Sequence, residues 1–117
     1  MRFMLVFYAD EEEWVALPDE ERTAAVARIG AWYGQHVQEG HIIEGCRLAG
    51  KGEATTVRLG PAGRSKKPLV TDGPFIETKE AIGSYAVVEA PDRPAAVAIA
   101  ASWPGGGAVE VRPVVEG

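Results

Sequence analysis

Apolar and polar positions along the chain predict alternating strands and helices. Residues 2–8 are almost continuously apolar, which is typical of a strand covered on both faces. Residues 18–39 instead show a single apolar stripe at helical spacing. The members of this stripe are Ala25, Ile29, Trp32 and His36. We predict an acidic loop between the first strand and Pro18. Pro18, followed by three acidic residues, is typical of a helix start, and Gly40 is placed to end the helix.

Shorter β-prone segments follow, separated by turns that contain glycine or proline. These segments are 42–48, 54–59, 67–71, 83–90 and 108–115. Asp92 and Pro94 predict the start of a second, alanine-rich helix that ends near 103–107. The resulting order is β-α-β-(β-β)-β-α-β. We therefore predict an α+β fold, a ferredoxin-like split β-α-β with an extra central hairpin.

The first strand raises the question of what covers its second face. Two helices can cover only one face of the predicted sheet, whereas residues 2–8 are apolar on both sides. A second copy of the chain is the simplest cover. We therefore predict a two-fold homodimer in which the two sheets face each other.

Composition narrows the range of functions. The length of 117 residues predicts one domain over 1–117. The net charge of -5 argues against nucleic acid and against an anionic membrane surface as partners. No apolar run has the length of a membrane span or the pattern of a signal peptide, and the lone Cys46 suits a reducing compartment, so we expect a cytoplasmic protein. No motif predicts a cofactor.

The segment 71–80 is the most unusual stretch of the chain. Asp72 and Gly73 predict a turn in which the glycine has a positive φ. In one interpretation Asp72 merely bonds to the backbone of its own turn. In the other, the turn holds its carboxylate beside Glu77, Lys79 and Glu80, where two acids near one base could form an acid/base pair. On the second interpretation Asp72 and Glu80 are the candidate catalytic residues.

The same segment resembles a known family. Asp72-Gly-Pro-Phe75 with Glu77-Thr-Lys-Glu80 is similar to the signature of the DGPF family, part of the YCII-related superfamily. Segments 54–58, 83–85 and 109–114 resemble it too, in the same order, so the resemblance covers nearly the whole chain. It implies a dimeric ferredoxin-like α+β barrel but no settled activity. Members often lie beside, or are fused to, sigma factors of the extracytoplasmic-function class.

Two hypotheses about function follow. The first is a small-molecule site near the Asp72 turn, used for binding or for acid/base chemistry. Its predicted ligand-binding residues are Arg58, Phe75, Glu77, Lys79, Tyr85 and Arg112. The second is a non-catalytic regulatory module that works with a sigma factor. For Arg112 an ordinary outward-facing strand position is the simpler alternative, because it alternates with apolar neighbours.

The chain departs from its relatives at two places. Related YCII proteins carry a His-Asp pair, proposed as catalytic, on the first helix. Here the corresponding positions fall near Ile29 and Gln38, so that pair is not carried over. Family members also often have an acid after the glycine at Gly45, where this chain has Cys46. We expect Cys46 to be a small buried thiol.

His36, Glu39 and His41 invite a metal-site interpretation. The first helix is expected to end at Gly40, so the two histidines need not share a face. We therefore predict no metal site, and we interpret His36 as a histidine at the edge of the core with a hydrogen-bond partner.

Overall fold

The computed structural model describes residues 1–61 and 67–116, and its elements follow the predicted order with one added helix. In chain order they are β1 (Arg2–Asp10), α1 (Glu11–Ala16), α2 (Asp19–Gln38), β2 (Ile42–Arg47), a 3₁₀ turn (Lys51–Glu53), β3 (Thr55–Arg58), β4 (Leu69–Asp72), β5 (Glu80–Glu89), α3 (Arg93–Ala101) and β6 (Ala108–Pro113). Within these ranges no helix combines the length and the apolar character needed to cross a membrane.

Four strands form one sheet in the order β2-β5-β1-β6. β1 pairs antiparallel with both β5 and β6, and β2 pairs antiparallel with β5. β1 and β2 therefore run parallel and are joined through α2, and β5 and β6 are joined in the same way through α3. β3 and β4 form a separate antiparallel hairpin. The predicted α+β fold with an extra central hairpin is confirmed.

Both long helices begin and end where the sequence predicts. α2 starts directly after Pro18, and Gly40, with a φ of 79°, lies just beyond its end. At the start of α3, the Asp92 carboxylate accepts a hydrogen bond of 2.9 Å from the backbone N–H of Ala95. A carboxylate at this position satisfies a backbone donor that has no partner within the helix.

The added helix α1 lies where an acidic loop was predicted. The Asp10 carboxylate caps it by accepting hydrogen bonds from the backbone N–H groups of Glu12 and Glu13, at 3.0 and 3.2 Å. Acidic side chains are favourable in the first turn because the helix N-terminus carries partial positive charge. The acidic run is therefore a helix-start signal, and the loop prediction was wrong.

The core lies between the four-stranded sheet and the two long helices. Phe3, Leu5 and Phe7 on β1 are buried on this side. The Phe7 ring contacts Trp32 of α2 edge-on, with ring centroids 6.0 Å apart, and Trp103 at 4.4 Å. Aromatic pairs at such separations add to the stabilisation from area burial alone. The core thus lies on the face of the sheet that the two long helices cover.

In the described part of the chain, neither long helix covers the opposite face of the sheet, which we call the open face. The register of the strands places the remaining positions of β1 on it, and they are only partly buried. Its apolar centre consists of Met4, Val6, Tyr8, Tyr85 and Val87, and its edges carry Glu44, Cys46, Glu110 and Arg112. The expected second copy over this face stays a prediction.

Candidate functional site

The turn after β4 is closed by the backbone and by one threonine. Gly73 has a φ of 98°, as predicted, and its N–H donates to the carbonyl of Ala54 at 2.8 Å. The Thr56 hydroxyl donates to the Gly73 carbonyl at 2.7 Å. Among the described residues the exposed Asp72 carboxylate accepts no hydrogen bond. The Asp72 side chain therefore does not close the turn.

This arrangement makes Asp72→Asn a near-neutral change in stability. Neither bond that holds the turn uses the carboxylate, so we expect the free energy of unfolding to stay within about 0.5 kcal/mol of the wild type. Chemical denaturation of both proteins measures the difference. A loss well above about 1 kcal/mol would mean that the carboxylate holds the turn after all.

Two predicted ligand-binding residues lie together on the hairpin side. The Arg58 guanidinium is 4.8 Å from the ring centroid of Phe75, which is a cation–π contact. Both side chains are exposed. They contact each other, and neither lines the cleft that contains Lys79 and Glu80.

Lys79 and Glu80 lie in a cleft of about 310 Å³ where β1 ends and β5 begins. We call it the acidic cleft. Its lining residues are Ala9, Asp10, Glu13, Trp14, Leu17, Lys79, Glu80, Gly105, Gly106 and Gly107. Neither Asp72 nor Glu77 is among them. Of the predicted site residues, the cleft therefore takes in only this neighbouring pair.

Four neighbouring segments build the acidic cleft, namely the end of β1, the helix α1, the start of β5 and the turn into β6. Asp10, the last residue of β1, is the register partner of Glu80, the first residue of β5. On the other side the chain enters β6 through Gly106 and Gly107, whose φ values are 72° and 70°. A Cβ on Gly107 would lie 2.0 Å from the carbonyl oxygen of Tyr8, so only glycine lets this turn pack against β1.

The charges in the acidic cleft favour a cation. Asp10, Glu13 and Glu80 contribute carboxylates and Lys79 contributes the one ammonium group among the lining residues. A concave surface with an excess of one sign of charge attracts the opposite sign. Trp14 adds an aromatic surface. Such a site can hold a small molecule that has a positively charged end and an apolar body.

The sequence did not indicate the contribution of Asp10, Glu13 and Trp14. The signal that could have found them is an acid at the end of a strand followed by further acids, which is a helix-cap pattern. A helix that begins directly after β1 places its residues beside the end of that strand. The glycine run at 105–107 is the second signal, because it allows close backbone approach.

Tyr85 and Arg112 lie on the open face, away from the acidic cleft. Tyr85 is the register partner of Cys46, and hydrogen bonding to that thiol raises the pKa of the Tyr85 hydroxyl, which therefore stays protonated. Cys46 is exposed in the single chain, so its predicted burial was wrong. The reason is that its side chain projects from the edge strand β2 onto the uncovered side of the sheet.

The two histidines converge at the end of α2. Their Nδ1 atoms are 2.8 Å apart, and Glu39 Oε2 is 3.5 Å from the Nδ1 of His41. The sequence left open whether His36 and His41 meet. The helix ends before Gly40, as predicted, and the turn there brings the two rings together. His36 is buried and hydrogen-bonded, as predicted. Burial, followed by the neighbouring His41, lowers the pKa of His36 and favours its neutral form.

Comparison with known proteins agrees with the resemblance seen in the sequence. A family model described as the YCII-related domain matches residues 1–116. A search of curated proteins finds no match.

Proposed function

The chain belongs to the YCII-related family, and from that premise we propose that it binds a small molecule in the acidic cleft. The observation that carries the proposal is the cleft of about 310 Å³ that brings Lys79 and Glu80 together with four residues from β1 and α1. Its volume is at the lower end of the range in which proteins hold small ligands. The Lys79–Glu80 end of the segment 71–80 thus takes the ligand.

The chemistry of the lining selects the class of ligand. Three carboxylates against one ammonium group favour a protonated amine, and the Trp14 ring favours an apolar or aromatic body beside it. One oxygen of Asp10 is already occupied by the cap of α1, so its second oxygen and the Glu80 carboxylate are the acceptors for the amine. We therefore propose a small aromatic or aliphatic amine.

Acid/base chemistry is a narrower proposal than binding. Glu80 lies opposite Asp10, so a bound amine would have two carboxylates as proton acceptors. Asp72 does not line the acidic cleft, and its predicted catalytic role would require the segment 73–79 to bring it to the ligand. The roles of Asp72 and Glu80 in a reaction stay predictions.

A paired panel of ligands tests the proposal. Phenethylamine and tryptamine are compared with phenylpropionate and indole acetate, which have similar rings but a carboxylate. At ten times its dissociation constant, a binding amine should stabilise the protein by about 1.4 kcal/mol, read as a rise in melting temperature. The carboxylates should give no rise.

Matched variants locate the effect. Glu80→Gln keeps the size of the side chain and removes the charge, so the rise given by the amines should largely disappear. Glu53→Gln, an exposed acid outside the acidic cleft, is the control and should behave as the wild type. Equal stabilisation by amines and carboxylates, or an unchanged response in Glu80→Gln, would contradict the proposal.

We further propose that a second copy of the chain covers the open face. Its apolar centre is flanked by an acidic edge on β2 and a basic position on β6, since Glu44 and Arg112 lie in one row across the four strands. A two-fold axis parallel to the strands would place each Glu44 opposite Arg112 of the partner subunit. The row that contains Glu44 and Arg112 is therefore complementary to itself in charge, and the face is apolar at its centre.

A further inference from the structure

We propose that the end of α2 is a binding site for a divalent transition-metal ion, with zinc as the best fit. The proposed ligands are Nδ1 of His36, Nδ1 of His41 and Oε2 of Glu39. The two Nδ1 atoms are 2.8 Å apart, and Glu39 Oε2 is 3.5 Å from Nδ1 of His41. One ligand atom from each of the three residues lies within 4.8 Å of the others. The site shares no residue with the acidic cleft, so it goes beyond the proposed function and does not depend on it.

The backbone fixes the convergence of the three ligands. Gly40, in the left-handed region with a φ of 79°, reverses the chain after α2. The N–H of His41 then donates to the carbonyl of His36 at 2.8 Å, which returns His41 over the last helical turn. Glu39 lies between them at the helix cap. The two imidazoles therefore meet because of the helix ending and not through the chance position of long side chains.

Hydrogen bonds to Ser102 determine which nitrogen of His36 faces the site. The Ser102 hydroxyl donates its proton to the carbonyl of Ile99 at 2.7 Å and accepts from the Trp32 indole N–H at 2.8 Å. Its 3.4 Å contact with His36 Nε2 therefore requires the imidazole to be the donor. The Nδ1 of His36 then carries a lone pair, directed at His41. Metal-binding histidines are commonly oriented by such a second contact.

Hydrogen bonds also orient the other two proposed ligands, Glu39 and His41. Gln35 donates to Oε1 of Glu39 at 3.1 Å, which leaves Oε2 on the side of His41. The two Nδ1 atoms are 2.8 Å apart, and with His36 protonated on Nε2 this contact requires the Nδ1–H of His41 to be the donor. A bound ion takes the place of that proton, and His41 then carries its proton on Nε2. His41 and Glu39 are both partly open to solvent, so an ion can enter and can keep water as a further ligand.

The donor set indicates zinc or a similar ion. Two imidazole nitrogens and one carboxylate suit transition metals and not magnesium or calcium, which prefer oxygen. In a tetrahedral zinc site, with bonds of about 2.0–2.1 Å, two nitrogen ligands are separated by roughly 3.3 Å. The observed 2.8 Å is a hydrogen-bond distance, so the rings would move apart by about 0.5 Å on binding.

Calorimetric titration of the EDTA-treated full chain with zinc chloride tests the proposal. We expect one zinc ion per chain, loss of binding in His41→Ala, and weaker binding in Glu39→Gln. Gln35→Ala should lower the affinity by about 10-fold, as removal of an orienting contact does. Glu20→Gln, an exposed acid at the other end of α2, is the control and should bind as the wild type. Absence of zinc binding in the wild type would overturn the site. So would His41→Ala and Glu39→Gln variants that bind zinc as tightly as the wild type.

A spectroscopic readout separates ligation from nonspecific binding. The chain contains two histidines, so its imidazole nitrogen spectrum is simple to assign. Before zinc is added, His36 should be protonated on Nε2 and His41 on Nδ1. Zinc should shift the Nδ1 resonances of both rings together. A shift of one ring alone, or of Nε2 atoms, would contradict the proposed ligand set.

Discussion

Replacing Gly107 by alanine should destabilise the protein by at least about 3 kcal/mol. The left-handed backbone at this position costs a non-glycine residue about 1–2 kcal/mol by itself. In addition, the new Cβ would lie 2.0 Å from the carbonyl oxygen of Tyr8. Tyr8 belongs to β1, which has a strand on either side, so its backbone cannot move away. The turn into β6 would have to separate from β1.

The neighbouring glycine supplies a matched control. Gly106 has nearly the same φ, 72° against 70°, but its Cβ would meet nothing within 4 Å. Gly106→Ala should therefore lose only the conformational part, about 1–2 kcal/mol. Chemical denaturation followed by tryptophan fluorescence reports both values, because Trp32 and Trp103 pack in or against the core. Equal losses for the two variants would show that the contact with Tyr8 does not constrain the turn.

Placing a charge at the centre of the open face should convert the proposed homodimer into a monomer. Val6 lies between Tyr85 and Glu110 in the sheet register, at the middle of the surface proposed to be covered. A buried charge without a partner costs about 3–5 kcal/mol, so Val6→Lys should weaken association by more than about 100-fold. Light scattering should give twice the 12.5 kDa chain mass for the wild type and the single-chain mass for the variant.

Two controls define the interface more closely. Val26→Lys makes the same change at an exposed position of α2 and should leave the dimer intact. Glu44→Arg and Arg112→Glu should each weaken the dimer, and the double variant should recover much of the loss if the two side chains face each other across the axis. A wild-type protein that stays at 12.5 kDa at micromolar concentration would contradict the covered face.

The fold could be predicted from local signals in the sequence. The apolar stripe of α2, the cap at Asp92 and the glycine at Gly40 are each determined within a few neighbouring residues, and the structure has them as predicted. The two faces of β1 could not be told apart, because residues on both are apolar. The structure separates them, with Phe3 inside and Val6 on the open face.

The candidate site was harder to predict, because its residues come from separate parts of the chain. Motif resemblance found Lys79 and Glu80, which the structure places in the acidic cleft. It also grouped them with Tyr85, which is close in sequence but lies on the open face. This grouping failed because neighbours in sequence need not share a surface. Asp10 and Glu13 join the cleft only through the unexpected helix α1 and the pairing of β1 with β5.

The location of a bound amine tests the central claim most directly. Backbone amide shifts are recorded while the amine with the largest thermal effect is titrated into the protein. Binding in the acidic cleft predicts the largest changes at residues 9–17, 79–80 and 105–107, with Glu80→Gln abolishing them. Changes confined to the open face, or a spectrum that does not respond to any amine, would contradict a ligand site in the acidic cleft.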